Sequence, residues 1–189
     1  MTLTNFLSEK KTVILNRWYD SILNTYPSET AKFLKGQKNP FLNPVGATTY
    51  QGIEKLYEYL VQDAEKDKVS LYLDSIIRIR AVQDFTPSQS IRFIMSLKAV
   101  IKNELKEEIE THRLHAELFA VELKIDDFSL LAFDIYMKCR EKLYQLKVNE
   151  LQGWTYRRLQ KADEVYKKEC VYEDIHNELI EFERKEVAK

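Results

Sequence analysis

Glu108, His112 and His115 stand at i, i+4 and i+7, a spacing that places a carboxylate and two imidazoles on one face of a continuous helix, as a divalent cation would need. Their neighbours are rich in Glu and Lys and no fourth ligand is identifiable, so a solvated helix face explains them and no metal is expected. A haem asks instead for a histidine on an apolar face among aromatic residues, which neither histidine offers, and no other cofactor is expected. Cys139 lies between Lys138 and Arg140, and adjacent cations lower a thiol pKa, which makes it the candidate redox thiol. A half-buried cysteine serving as a small apolar residue is the competing account. Arg80, Asp84, Asp134, Arg140 and Glu141, with Arg78, are the charged residues nearest the expected core faces. Buried charge is costly unless paired, so pairs such as Arg80 with Asp84 or Arg140 with Asp134 are expected, holding helix register or meeting a ligand or partner. No Ser/His/Asp set, glycine-rich phosphate loop or carboxylate pair emerges, so no catalytic residue is assigned.

The elements that must position these groups read as helices. Residues 78–98 hold a helix end, a tight stop and a helix start. Thr86 and Gln89 can exchange side-chain and backbone bonds as a capping box, and Pro87 takes the first helical position, where its missing N–H is harmless. Upstream, Leu7, Ile14, Trp18 and Ile22 predict one helix from Thr4 or Ser8 to about Tyr26, ended by Pro27. Ser28 to Gly46 reads as an ordered loop, extended at its Asn-Pro steps, with Phe41 plugging the core. Further helices are predicted over about Ala47–Ala64, with Gly52 either a close helix contact or a weak point, and about Val69–Val82. The helix capped at Thr86 carries Phe93, Ile94, Leu97, Ile101 and Leu105, then bends near Thr111 into a shorter amphipathic piece with Leu114 and Leu118. Asp126 reads as a new cap, with Ile125 stapled onto Leu130, opening the longest helical stretch. As one rod to Lys189 it would reach roughly 90 Å at 1.5 Å per residue, so part of it is expected to protrude, fold back or pair with another chain.

The bulk composition agrees. The 189 residues include 4 glycines and 4 prolines, so turns are scarce, and 31 % charged with 44 % hydrophobic residues suits one all-α, bundle-like domain with a long C-terminal helix. Eleven Tyr, nine Phe and two Trp supply the aromatic area that disordered chains lack. The two signs of charge interleave to a net of -1 with no basic stripe, which argues against nucleic acid. Cys139 and Cys170 form no Cys-x-x-Cys pair, Cys170 is expected to be exposed, and both are expected to be free thiols in the cytoplasm. No leader pattern and no apolar run of ~18 residues is present, so membrane insertion is not expected.

Three stretches carry a resemblance to a family. Ile14-Leu15-Asn16-Arg17-Trp18 with Asn39-Pro40-Phe41-Leu42-Asn43-Pro44-Val45, then Arg80-Ala81-Val82-Gln83-Asp84-Phe85-Thr86-Pro87-Ser88-Gln89 with Leu97-Lys98, and finally Phe133 to Tyr144 with Val148-Asn149-Glu150, resemble the N-terminal domain of the RsbRD-type RsbT co-antagonists, sensor modules of bacterial stress signalling (stressosomes). The likeness runs from about Leu7 to about Trp154. It implies an all-α sensor or scaffold domain over residues 1–155, related in arrangement to haem-less globins, with a charged helical extension over 156–189. It implies protein partners, a homodimer and no enzymatic turnover. Many members precede a STAS domain, but the residues after Trp154 are too few and too helical for its sheet, so the antagonist mechanism is not carried over whole. Stand-alone members in sulfur-respiring bacteria raise the alternative of an accessory protein that binds a small molecule or redox ligand for a respiratory or sulfur-metabolism complex.

Overall fold

The computed structural model describes residues 2–37, 39–62, 66–83 and 85–187, with side chains described up to 168 except at 66 and 67. All the regular elements among the described residues are α-helices, in the order α1 (Leu3–Glu9), α2 (Lys11–Leu23), α3 (Ser28–Gly36), α4 (Pro44–Gln62), α5 (Lys66–Val82), α6 (Pro87–Glu104), α7 (Lys106–His112) and α8 (His115–Val187). The chain divides into two compact units, Met1–Glu141 and Lys142–Lys189.

In the first unit the expected opening helix is two. Lys10 leaves helical geometry at φ -91° and ψ 13°, and this break lets Leu3, Phe6 and Leu7 of α1 and Ile14, Leu15, Trp18 and Ile22 of α2 all bury against one core. The Lys10 ammonium is drawn inward, donating to the Glu104 carbonyl at 2.8 Å and pairing with Glu108. A tertiary contact thus decides a boundary that local periodicity cannot show.

The segment read as a loop contains α3, which buries only Leu34 and so shows little apolar period. Phe41 does not plug the core. It is 94 % exposed, because the turn is closed by a polar side chain instead: Asn43, 3 % exposed, donates from Nδ2 to the carbonyls of Leu34 and Gln37 at 2.8 and 2.9 Å and accepts the Gly46 amide at 2.8 Å. Two backbone acceptors and one donor are satisfied by one buried amide, which outweighs burying the nearest aromatic ring.

Helices α4 and α5 form the most extensive helix pair, and α2 lies along α6. Gly52 is the close helix contact, since a Cβ there would sit 2.7 Å from Ile76 Cδ1 on α5. The Thr86 cap forms as expected: the Gln89 amide donates to Thr86 Oγ1 at 3.3 Å and the Thr86 amide to Gln89 Oε1 at 3.0 Å. The expected bend after α6 falls at Arg113, a left-handed residue with φ 54°. The expected start at Asp126 is absent: α8 begins at His115 and passes through Asp126, whose carboxylate accepts from Lys98 at 2.7 Å rather than capping a helix. Ile125, Phe128, Ala132, Ile135 and Tyr136 form the buried face of α8 within the first unit.

Candidate functional site

Arg80 lies in the last turn of α5 and is 1 % exposed, placed there by the helical step that also buries Leu73, Ile76 and Ile77. Its Nη2 donates to Thr25 Oγ1 at 2.9 Å and to the Gln89 carbonyl at 3.1 Å, so one guanidinium arm ties the ends of α2, α5 and α6. Three rings surround it, with Cζ 4.2 Å from the centroid of Phe85, 5.5 Å from Tyr26 and 5.6 Å from Phe93. Ring faces stabilise a desolvated cation. Desolvation pulls the Arg80 pKa below the ordinary guanidinium value, and Tyr26 opposes that. Desolvation in turn pushes the Tyr26 phenol up, with Arg80 opposing. Nε and Nη1 of Arg80 are buried with no hydrogen-bond partner among the described residues.

Asp84, the partner expected for Arg80, lies outside the described residues. Arg140, half-buried, donates from Nη1 to the Ala81 carbonyl at 3.2 Å, while Asp134 and Glu141 stand exposed on α8. Arg78 points outward and forms an ion pair with Asp74 at 2.9 Å, whose hydrogen bond holds the guanidinium above its ordinary pKa. Cys139 is half-buried and packs against the core cluster. The side chain of Cys170 lies outside the described residues.

The helix needed to align Glu108, His112 and His115 is interrupted at Arg113. Glu108 pairs with Lys10, His112 stacks on Phe6 at 5.3 Å between centroids, and His115 faces Glu110 at 3.8 Å. Lys10 holds the Glu108 carboxyl below its ordinary pKa. Among the described residues no three His, Cys, Asp or Glu side chains gather as a metal would require.

Sequence reasoning missed the residues that enclose Arg80 from afar, Thr25 and Tyr26 at the end of α2 and Tyr136 on α8. Tyr136 donates to the Phe85 carbonyl at 2.6 Å, fixing the ring that lies over the guanidinium. The signal available was a polar pair, Thr25-Tyr26, directly before Pro27. A cleft of about 330 Å³ opens beside this cluster, lined by Thr25, Tyr26, Pro27, Thr30, Gln83, Phe85 and Gln89. A second, of about 520 Å³, lies between α2, α3 and α4 near Tyr19, Asn43 and Tyr50.

The residues that build the Arg80 corner all fall within one matched stretch: the sequence pattern of the RsbT co-antagonist protein rsbRD N-terminal domain matches residues 12–151. The chain belongs to this family. The rsbRD N-terminal domain is a signalling sensor module, and its match spans α2 to α7 and much of α8. An uncharacterised protein of Archaeoglobus fulgidus is 26 % identical over 147 residues, covering 74 % of this chain and 83 % of its own. No solved structure matches. No helix among the described residues is long and apolar enough to cross a membrane.

Proposed function

We propose that this rsbRD N-terminal domain protein is a non-enzymatic sensory or protein-interaction module of bacterial stress or redox signalling, working in the cytoplasm as a homodimer. Residues 1–155 form the sensor and 156–189 a charged extension, and the long C-terminal helix transmits shifts of helix packing to a partner. The observation that carries this reading is the exposed apolar stripe of the second unit. Tyr144, Val148, Leu151, Leu159 and Tyr166 recur at helical spacing with Thr155 and Ala162 between them, and all the large ones are exposed. Val148, Leu151, Thr155, Tyr156 and Leu159 border a shallow apolar groove along the helix. A contiguous apolar strip of this kind marks an association surface, and apolar residues at three- and four-residue steps suit a second helix. The family match supports signalling and lends nothing to the respiratory accessory alternative.

Light scattering at micromolar concentration tests the dimer. The wild type is expected at twice the chain mass and a Leu151→Glu, Leu159→Glu double variant at the chain mass, with unchanged far-ultraviolet dichroism. A wild type that runs as a monomer removes the reading.

A further inference from the structure

Arg80 is a buried cation whose hydrogen bonds among the described residues reach one hydroxyl and one carbonyl, both neutral. A desolvated charge without an opposite charge is costly, and unmet donors add to that cost. The cleft next to it supplies the place where the deficit can be met. Thr25 and Gln89, which hold Nη2, and Tyr26 and Phe85, which cover the guanidinium, are themselves the lining of that cleft, so Arg80 lies directly behind its wall. The described lining contains hydroxyls and amides and no carboxylate.

We propose that the cleft of Thr25, Tyr26, Thr30, Gln83, Phe85 and Gln89 binds a small oxyanion, a carboxylate or phosphate, with the buried Arg80 guanidinium as its counter-charge. Guanidinium is suited to either group, because charge-assisted bonds to oxyanions are roughly twice as strong as neutral ones. The volume of about 330 Å³ leaves room for an organic body behind the anionic head. Tyr26 is the movable part of the wall. Its hydroxyl donates to Gln83 Oε1 at 3.1 Å in an exposed bond that water can replace, and for an anion to reach the buried Nη1 and Nε from the cleft the phenol has to leave that bond. The oxyanion then takes the donors that no described residue meets and draws α2, α5 and α6 together at the corner they share. This binding goes beyond the signalling reading and is independent of dimerisation, since it is measured on the protein alone.

The test is a titration with inorganic phosphate, and separately with acetate, at constant ionic strength, read by calorimetry and by the Arg80 Nε–H resonance in ¹H–¹⁵N spectra. A saturable shift of that resonance with either anion is the expected result, and the anion that binds more tightly identifies the head group. Arg80→Gln should weaken binding about tenfold or more. Because that variant risks the fold, Thr30→Glu, exposed at the cleft mouth, provides a second reading: its added carboxylate should weaken the same titration several-fold with the thermal midpoint unchanged. An unmoved Arg80 resonance with both anions overturns the proposal. So does binding indifferent to Thr30→Glu, or binding that appears only after Asp84→Asn, which would mean the chain carries its own counter-ion.

Discussion

The indole Nε1 of Trp18 donates to the backbone carbonyl of Phe93 at 2.7 Å, a buried bond that clamps α2 onto α6, and the two rings stack 6.3 Å apart. The same carbonyl accepts from Ser96 Oγ at 2.6 Å, so it is not orphaned when the indole is removed. Trp18→Phe therefore loses mainly packing volume and one buried hydrogen bond, together about 2–3 kcal/mol. The measurement is thermal unfolding, where a fall of roughly 5–10 °C in Tm is expected. A change below 1–2 °C would show that this clamp is dispensable.

Two glycines in helices should respond with opposite sign. At Gly52 a Cβ would meet Ile76 Cδ1 at 2.7 Å and Cγ1 at 2.9 Å, so the tip of Ile76, itself buried in the core, has to shift. Gly52→Ala is expected to destabilise by about 1–2 kcal/mol, overpacking outweighing the gain of ~1 kcal/mol in helix propensity. Around Gly153 nothing lies within 4 Å of such a Cβ, so Gly153→Ala gains the propensity alone. Amide exchange should slow around residue 153 and speed up along α4. The same sign at both positions would contradict the α4–α5 geometry.

Removing the Thr86 hydroxyl takes the acceptor from the Gln89 amide and one half of the capping box. Thr86→Ala should cost about 1 kcal/mol, with Thr86→Ser nearly neutral, in urea unfolding at unchanged m-value. Equal losses in both variants would show that the methyl group, not the hydroxyl, matters.

Glu58 accepts from Lys55 at 2.8 Å and from Lys11 at 2.9 Å, and these two bonds, Lys55 first, hold its carboxyl below the ordinary value of 4.5. The unfolded chain binds that proton more readily, so the contribution is complete above the ordinary value and disappears as pH falls through the lower folded one. Unfolding measured from pH 6 down to pH 3 should show a shallower acid decline in Glu58→Gln than in the wild type. A parallel decline in both would assign the acid sensitivity elsewhere.

The boundaries marked by special residues were legible in the chain. Thr86-Pro87-Ser88-Gln89 states a helix start in side-chain chemistry, and the structure has it. Asp126 offered a similar signal and failed, because a cap residue inside a helix can serve a partner on another element, here Lys98 on α6. Hydrophobicity alone turns Phe41 inward, yet the nearby Asn43 satisfies more backbone groups by turning in. At the candidate site, Arg80 stood out as a charge on a core face, while Thr25 and Tyr26, remote in sequence, could be joined to it only by the packing of α2 against α5 and α6.

The sequence by itself determined the all-α class, the family and the capped corner before α6, because these rest on local spacing, on cap chemistry and on scarce turn residues. Tertiary structure alone decided the break at Lys10, the continuity of α8 through Asp126 and the aromatic enclosure of Arg80. Those features depend on which distant groups compete for a backbone carbonyl, an ammonium or a guanidinium, and that competition is settled only when the helices meet.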